Sequence, residues 1–406
     1  MRRVSIVGAG KLGAPIAAAI ASQGHHVAVN DADPRVIEAL QAGRAPVTEP
    51  GLQTLIDAHR DRLRATTNID EAVHASDITF VIVPTPSTEA GGFAVDAVDR
   101  AFREIGAALA RKSEWHTVVL TSTVMPGATR ALVPALEAAS GRRAGDHFGV
   151  CYNPVFVALG TVVRDFLHPD LVLIGELDRR SGDHLEACYR DILGAPPAAR
   201  MSFENAELAK LAINAFVTTK ITFANMLADL CAALPGGDVD VVSDAIGRDT
   251  RIGRKYLTGG LGFGGPCFPR DNAALSVAAA ALGVDAGLPL ATDRLNRALA
   301  DRTLAALQPN LRAGATVAVL GQAYKPGSDV IEASPALAIT KALLESHGQL
   351  RVRVCDPLAG NAARAVLGER VVVSATPREC VRGADVVIVA TPDPEFTQLS
   401  AADFGA

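Results

Sequence analysis

The apolar run Val4-Ser5-Ile6-Val7 is followed at once by Gly8-Ala9-Gly10-Lys11-Leu12-Gly13, by small residues from Ala14 to Ser22, and by a second apolar run, Val27 to Asn30, that ends in Asp31. A bare glycine turn is compatible with many folds. This one has a strand pattern before it, a helix pattern after it and an acid at the end of the next strand. In such a unit the first glycine makes the turn, the second lets backbone approach a pyrophosphate at the helix N-terminus, and the third allows close contact between helix and strand. A carboxylate at Asp31 would accept hydrogen bonds from an adenosine ribose and repel a 2'-phosphate, which favours NAD over NADP. The expected cofactor residues are therefore Gly8, Gly10, Lys11, Leu12, Gly13 and Asp31.

Strand patterns recur at Ile78 to Val83 and Val118 to Thr121, each followed by a polar or proline-containing turn, Pro84-Thr85-Pro86-Ser87 and Ser122 to Gly127. Ligands in open α/β sheets sit at such carboxyl ends, so Pro84, Thr85 and Thr123 join the cofactor set. The alternation predicts a parallel doubly wound sheet through about residue 175. Pro196-Pro197 then punctuates the chain, and Phe203 to Leu234 reads as one long helix without glycine or proline. Lys210 and Asn214 share a face of it. They are either an inward-facing pair or ordinary surface polar residues. After Asn310 come a strand pattern at Thr316 to Gly321, a helix at Pro335 to His347, and strands at Arg351 to Cys355 and Asp385 to Ala390. The reading is an α/β chain of two Rossmann-like doubly wound domains joined by a long central helix. The expected divisions are 1–195 for dinucleotide binding, 196–305 for a helical middle and 306–406 for the second Rossmann-like domain.

Composition narrows the function classes. With 49% hydrophobic and 20% charged residues over 406, the chain supports two or three packed cores. A net charge of −5 offers no general attraction for nucleic acid or an anionic membrane, and a small anionic ligand fits better. Cys151, Cys188, Cys231, Cys267, Cys355 and Cys380 are scattered with no CxxC pair, so neither a disulfide framework nor a metal site is expected. A reducing cytoplasm suits that pattern. The opening Arg2-Arg3 and short apolar run do not resemble a signal segment, and no membrane span is expected.

One cysteine stands out. Gly262-Phe263-Gly264-Gly265-Pro266-Cys267-Phe268-Pro269-Arg270-Asp271 sets a thiol in a glycine-rich loop beside a cation and a carboxylate. Arg270 would favour the thiolate needed for nucleophilic chemistry, although a cysteine in an apolar loop can also be simple packing.

Taken together, these segments resemble the nucleotide-sugar 6-dehydrogenase family, with UDP-glucose dehydrogenases as the nearest type. The resemblance spans nearly the whole chain. It rests on the Gly8–Gly13 turn, Glu49-Pro50-Gly51-Leu52, Pro84-Thr85-Pro86, Thr121 to Gly127, Asn153-Pro154, Glu207-Leu208-Ala209-Lys210 through Asn214, Arg251-Ile252-Gly253, the Cys267 loop and Lys325-Pro326, in the family's order. It implies two hydride transfers from a sugar C6 to two NAD molecules, with Cys267 trapping the aldehyde as a thiohemiacetal that is oxidised to a thioester and hydrolysed. It further implies that Lys210 and Asn214 stabilise oxyanion character at C6, and that Asp271 and Thr123 position water or relay protons. Phe156, Lys210, Asn214, Tyr256, Leu257, Phe263, Gly264, Arg270 and Lys325 would contact the nucleotide sugar. Arg251 would come from a neighbouring subunit, which implies a homodimer with the central helix at its core.

The chain departs from the family in informative places. The family pattern Asn-Pro-Glu-Phe-Leu-x-Glu-Gly is here Asn153-Pro154-Val155-Phe156-Val157-Ala158-Leu159-Gly160, so both acids are replaced. By resemblance the first of them assists water attack on the thioester, a contribution of roughly 100- to 10,000-fold that Val155 cannot make. Pro266 replaces a Ser, Arg270 a Lys, and Glu332 an Arg expected near the dinucleotide phosphates. Three alternatives to complete oxidation follow: arrest at aldehyde or thioester, a different nucleotide sugar, or a catalytically weak nucleotide-sugar binding protein. The 3-hydroxyacid dehydrogenases share the opening fold and a helix-borne Lys and Asn, but not Cys267 or the second Rossmann-like half.

Overall fold

The computed structural model describes residues 1–346 and 348–404 and divides into two compact units, Met1–Leu211 and Ala212–Ala406. The first unit is built on an eight-stranded sheet. Its strands are β1 (Arg3–Val7), β2 (His26–Asn30), β3 (Leu63–Thr66), β4 (Ile78–Val81), β5 (Thr117–Leu120), β6 (Gly149–Tyr152), β7 (Val172–Glu176) and β8 (Ala198–Met201), in the order β3-β2-β1-β4-β5-β6-β7-β8. From β3 to β6 every pairing is parallel, which is the dinucleotide-binding order.

The expected parallel sheet through residue 175 needs correction. β7 pairs antiparallel with β6, Cys151 opposite Glu176 and Tyr152 opposite Gly175. Antiparallel neighbours can begin and end at one edge, so the connection from Asn153 to Leu171 and its short helix Val162–Leu167 need not cross the sheet. The stretch therefore starts from the carboxyl end of β6, where α/β ligands bind, and its helix then packs into the same apolar layer as the small-residue helix.

Two apolar layers enclose the sheet. One gathers Ile6, Val27, Ile78 and Val119 with Ile16, Ala17 and Ile20 of the small-residue helix Gly13–Ser22. The other gathers Val81, Val118 and Leu120 with Phe102, Ile105, Leu136 and Phe203. A polar thread also runs through the interior. The Ser5 and Thr79 hydroxyls lie 2.6 Å apart, Thr79 Oγ1 lies 2.7 Å from His116 Nε2, and Lys112 Nζ lies 3.1 Å from His116 Nδ1. Burial first, and the Lys112 charge second, hold the imidazole well below its usual range.

The second unit carries β9 (Thr316–Leu320), β10 (Arg351–Cys355), β11 (Val371–Val373) and β12 (Val386–Val389) in the order β11-β10-β9-β12, all parallel. This is the Rossmann half-order. β11 was not foreseen, since three valines after Gly368-Glu369-Arg370 are too short to register as a strand pattern. The helix expected at Pro335 to His347 runs Pro335–Ser346, and His347 lies outside the described residues.

The helix Phe203–Ala233 is continuous over 31 residues, close to the expected span. By length and composition alone it is apolar enough to cross a membrane, contrary to the expectation that no segment would be. Its polar side chains nevertheless hydrogen-bond within the protein, as in a core helix: Thr218 Oγ1 donates to Asn272 Oδ1 at 3.0 Å, and Asn225 Oδ1 accepts from the Gly260 N–H at 3.0 Å.

Candidate active site

The glycine turn is set by contacts that only glycine permits. Gly8 has φ of 99° and donates its N–H to the Asn30 carbonyl at 2.8 Å; a Cβ there would lie 2.2 Å from the Ile82 oxygen. A Cβ on Gly13 would lie 1.8 Å from the Gly8 oxygen. Gly10 differs, because an added Cβ would meet nothing within 4 Å. The fold itself does not require glycine there, whereas a pyrophosphate approaching the backbone would. Asp31 accepts the Ala9 N–H at 2.7 Å and the Asp33 N–H at 2.8 Å, one on each oxygen. A carboxylate has about four acceptor sites, so capacity for a ribose diol remains. The glycine turn, the open Gly10 and Asp31 could hold a dinucleotide, Gly10 admitting a pyrophosphate and Asp31 accepting from a ribose.

The second unit repeats the frame without the opening. Gly321 has φ of 90° and donates to the Cys355 carbonyl at 2.7 Å, as Gly8 does to Asn30. Asp356, at the end of β10, accepts from the N–H groups of Gln322 (2.6 Å), Ala323 (2.9 Å), Leu358 (2.9 Å) and Ala359 (2.6 Å). Four backbone donors use the acceptor sites that Asp31 leaves available.

At the carboxyl ends of β4 and β5 the two turns are tied together. Thr85 Oγ1 donates to the Thr123 carbonyl at 2.8 Å, and Ser122 Oγ to the Val83 carbonyl at 2.7 Å. Glu207 accepts the Gly127 N–H at 2.5 Å and the Thr129 N–H at 2.8 Å, and so caps the helix Ala128–Ser140 from a distant segment. Burial pushes its carboxyl up, opposed by hydrogen bonds from Thr129 and Gly127.

The surface reading of Lys210 and Asn214 is overturned, since both are buried. In the first unit, Lys210 Nζ donates to the Val155 carbonyl at 3.3 Å and lies 4.7 Å from the Phe156 ring centroid. Val155, Val157 and Leu159 pack against the apolar core, which accounts for the side chains that replace the two acids. Glu49 has a function that sequence reasoning missed: its buried carboxylate accepts the Gly160 and Val162 N–H groups, each at 2.7 Å.

In the second unit, Asn214 Nδ2 donates to Asp271 Oδ2 at 2.6 Å, and both side chains are buried. Cys267 is exposed at the N-terminal boundary of the helix Phe268–Ala281, with Asp271 in the first turn and the Asp271 N–H donating to the Cys267 carbonyl at 2.9 Å. A helix N-terminus favours a thiolate. The loop before it is fixed: the Gly265 N–H donates to the Glu332 carbonyl at 2.9 Å, a Cβ on Gly264 would lie 2.2 Å from the Ala333 oxygen, and the Phe263 N–H donates to Asn296 Oδ1 at 2.9 Å. Tyr256 is exposed with φ of 65°, and Leu257 is buried with its carbonyl turned to the Arg254 guanidinium. Lys325 Nζ lies 5.9 Å from the Tyr324 ring centroid. Arg251 pairs only locally in its ion pair, with Asp249 at 2.6 Å, and its side chain is 87% exposed. Arg270 is half-buried beside Pro269.

The strand order of the first sheet, with a glycine turn after β1 and an aspartate after β2, is the frame of a dinucleotide-linked dehydrogenase. The chain belongs to the UDP-glucose/GDP-mannose dehydrogenase family: its NAD binding domain matches residues 2–193, its central domain 204–298 and its UDP binding domain 318–406. It is similar to the UDP-glucose 6-dehydrogenase AglM of Haloferax volcanii, 39% identical across 98% of this chain and 92% of that one. The GDP-mannose 6-dehydrogenase of Pseudomonas putida is 32% identical across 98% and 93%. The solved UDP-glucose dehydrogenase of Pyrobaculum islandicum is 36% identical, covers 98% of this chain and 92% of its own, and superimposes with a TM-score of 0.90. The protein is an NAD-dependent nucleotide-sugar 6-dehydrogenase. The match across all three domains also removes the 3-hydroxyacid dehydrogenase alternative.

Proposed function

We propose that the protein oxidises a UDP-glucose-like nucleotide sugar at C6 to the uronate through covalent attachment to Cys267. The Gly8–Gly13 turn would hold NAD with Asp31 toward its ribose, and NAD bound there would supply the hydride acceptor, one NAD molecule for each of the two oxidations. The Cys267 thiolate adds to the aldehyde carbon, forming the C–S bond of a thiohemiacetal. Loss of the second hydride converts this to a thioester, and water breaks the C–S bond to release carboxylate and thiol. Lys210 and Asn214 stabilise negative charge on the C6 oxygen, and Asp271, held by Asn214, moves the proton of the attacking water. Thr123 positions that water, while Pro84 and Thr85 line the cofactor side. Phe156, Tyr256, Leu257, Phe263, Gly264, Arg270 and Lys325 contact the nucleotide sugar.

The observation that carries the reading is the placement of Cys267 at a helix N-terminus one turn before Asp271, whose carboxylate receives the Asn214 amide at 2.6 Å. The choice of UDP-glucose is supported by the 39% and 36% identical relatives that bear that name. One specific observation favours a second reading, arrest at the thioester: Val155 and Leu159, partly buried, pack against the core where the family pattern has acids. Incubation with NAD and a panel of nucleotide sugars, with NADH counted per sugar and the protein weighed intact, separates the two. Two NADH and free uronate support complete oxidation. A burst of NADH with a Cys267 adduct supports arrest, and no NADH with any sugar refutes the substrate class.

The working form is a homodimer in which Arg251 reaches the neighbouring subunit's site. Its guanidinium is exposed, and Phe216, Phe223, Met226 and Leu230 leave an exposed apolar stripe along the helix Phe203–Ala233. The compartment is the cytoplasm, supported by six cysteines none of which forms a disulfide.

A further inference from the structure

Lys210 depends for its setting on a stretch of chain with no regular secondary structure. Its ammonium donates to the Val155 carbonyl at 3.3 Å and lies over the Phe156 ring, and both belong to the segment from Asn153 to Thr161 between β6 and the helix Val162–Leu167. What this segment offers Lys210 is a main-chain oxygen and a ring face. Backbone path therefore decides both.

That path is anchored at two ends. At its start the Asn153 side chain donates to the Leu173 carbonyl at 2.8 Å and accepts the Tyr189 hydroxyl at 2.5 Å. At its end Glu49, from a distant part of the chain, accepts the Gly160 N–H on one oxygen and the Val162 N–H on the other, each at 2.7 Å. Asp165 adds a local contact, taking the Thr161 hydroxyl at 2.6 Å and the Ala158 N–H at 3.2 Å. Glu49 is buried, and its ionised oxygens each receive one backbone N–H, the charge-assisted kind of hydrogen bond that is costly to lose in the interior. Between the anchors the side chains of Val155, Val157 and Leu159 hold the segment by apolar packing, because this chain has no carboxylate of its own from Asn153 to Thr161.

We infer that Glu49 is a positioning residue for the oxidation, acting through the Asn153–Thr161 segment to hold Lys210 in its working place. The inference rests on the proposed role of Lys210. Glu49→Gln keeps the shape but turns an amide donor toward a backbone N–H, so kcat falls about 10- to 100-fold and KM for the nucleotide sugar rises. The dissociation constant for NAD stays within about threefold, because the glycine turn is untouched. Glu49→Asp retains charge with a shorter reach and recovers part of kcat.

A double-mutant cycle with Lys210→Met, in the full-length protein, decides the matter. Coupling predicts that Glu49→Gln with Lys210→Met is no slower than Lys210→Met alone. Multiplicative losses, or a fall in melting temperature with kcat unchanged, overturn the inference. So does an NAD affinity that falls in parallel with kcat, which marks general damage to the fold. If Lys210→Met retains wild-type rate, the role of Lys210 fails and this inference with it. A slow Lys210→Met beside an unaffected Glu49→Gln overturns this inference alone. Should Glu49→Gln fail to fold, Glu49→Asp carries the same cycle.

Discussion

Gly10→Ala and Gly13→Ala separate the glycine that serves a ligand from the glycine that serves the fold. A Cβ on Gly13 would lie 1.8 Å from the Gly8 oxygen and 2.9 Å from its carbonyl carbon. Ordinary contact is about 3.4 Å or more, so helix and turn must separate by more than an ångström, and overpacking of that kind costs about 1–3 kcal/mol. For a domain of this size the melting temperature should fall by roughly 2–4 °C for each kcal/mol. Gly10 is open to 4 Å and does not use positive φ, so Gly10→Ala should leave stability within about 0.5 kcal/mol. Its methyl would stand where a pyrophosphate approaches the backbone, and NAD should bind at least about tenfold more weakly, or 1.4 kcal/mol. Thermal melts without ligand, with calorimetric titration of NAD, read the two effects independently. If Gly10→Ala is stable and binds NAD as the wild type does, the pyrophosphate does not lie over Gly10. If Gly13→Ala melts unchanged, the close approach of helix and turn is not a constraint.

Three further outcomes follow from other parts of the molecule. Cys267→Ser should lower two-NADH turnover by about 1,000-fold or more and abolish any mass adduct; wild-type turnover by the serine form would refute the thioester. His116 is held neutral in the fold while the unfolded chain protonates it below about pH 6.5, so the unfolded state binds the extra proton and stability declines as pH falls through that point. Urea midpoints at several pH values should show that His116→Gln loses up to about 1.4 kcal/mol per pH unit of this slope below pH 6.5, and an unchanged slope would refute it. Phe223→Asp together with Leu230→Asp places charge on the exposed apolar stripe, and sedimentation should convert a dimer to a monomer; a monomeric wild type would sink the dimer.

Much of the architecture was legible because its signals are local. The Gly8–Gly13 turn, Asp31 and the small-residue helix lie within a short stretch, and each residue type serves a need of the adjoining backbone. The antiparallel β7 was not legible, because strand direction depends on whether the connection crosses the sheet, and no residue from Asn153 to Leu171 records that. Glu49 and Glu207 were visible only as motif letters. Each accepts backbone N–H groups from segments remote in sequence, and a carboxylate that caps a remote turn carries no local pattern. The burial of Lys210 and Asn214 could not be distinguished from exposure by helical spacing, since spacing gives the shared face but not what covers it.

The two Rossmann-like halves show how one frame takes different ligands. Both have a positive-φ glycine after the first strand, bonded to the carbonyl that ends the second, and both have an aspartate one residue further on. The difference is the number of donors each aspartate meets. Asp31 holds the turn with two backbone N–H groups and retains acceptor capacity, while Asp356 receives four and has none to offer a ribose. The second turn also lacks the open glycine: Gln322-Ala323-Tyr324 follow Gly321 where Ala9-Gly10-Lys11 follow Gly8. A side chain at the position of Gly10 closes the approach that a pyrophosphate needs. The first half therefore has both features that a dinucleotide turn needs, an open glycine and an aspartate with acceptor sites left, and the second half has neither.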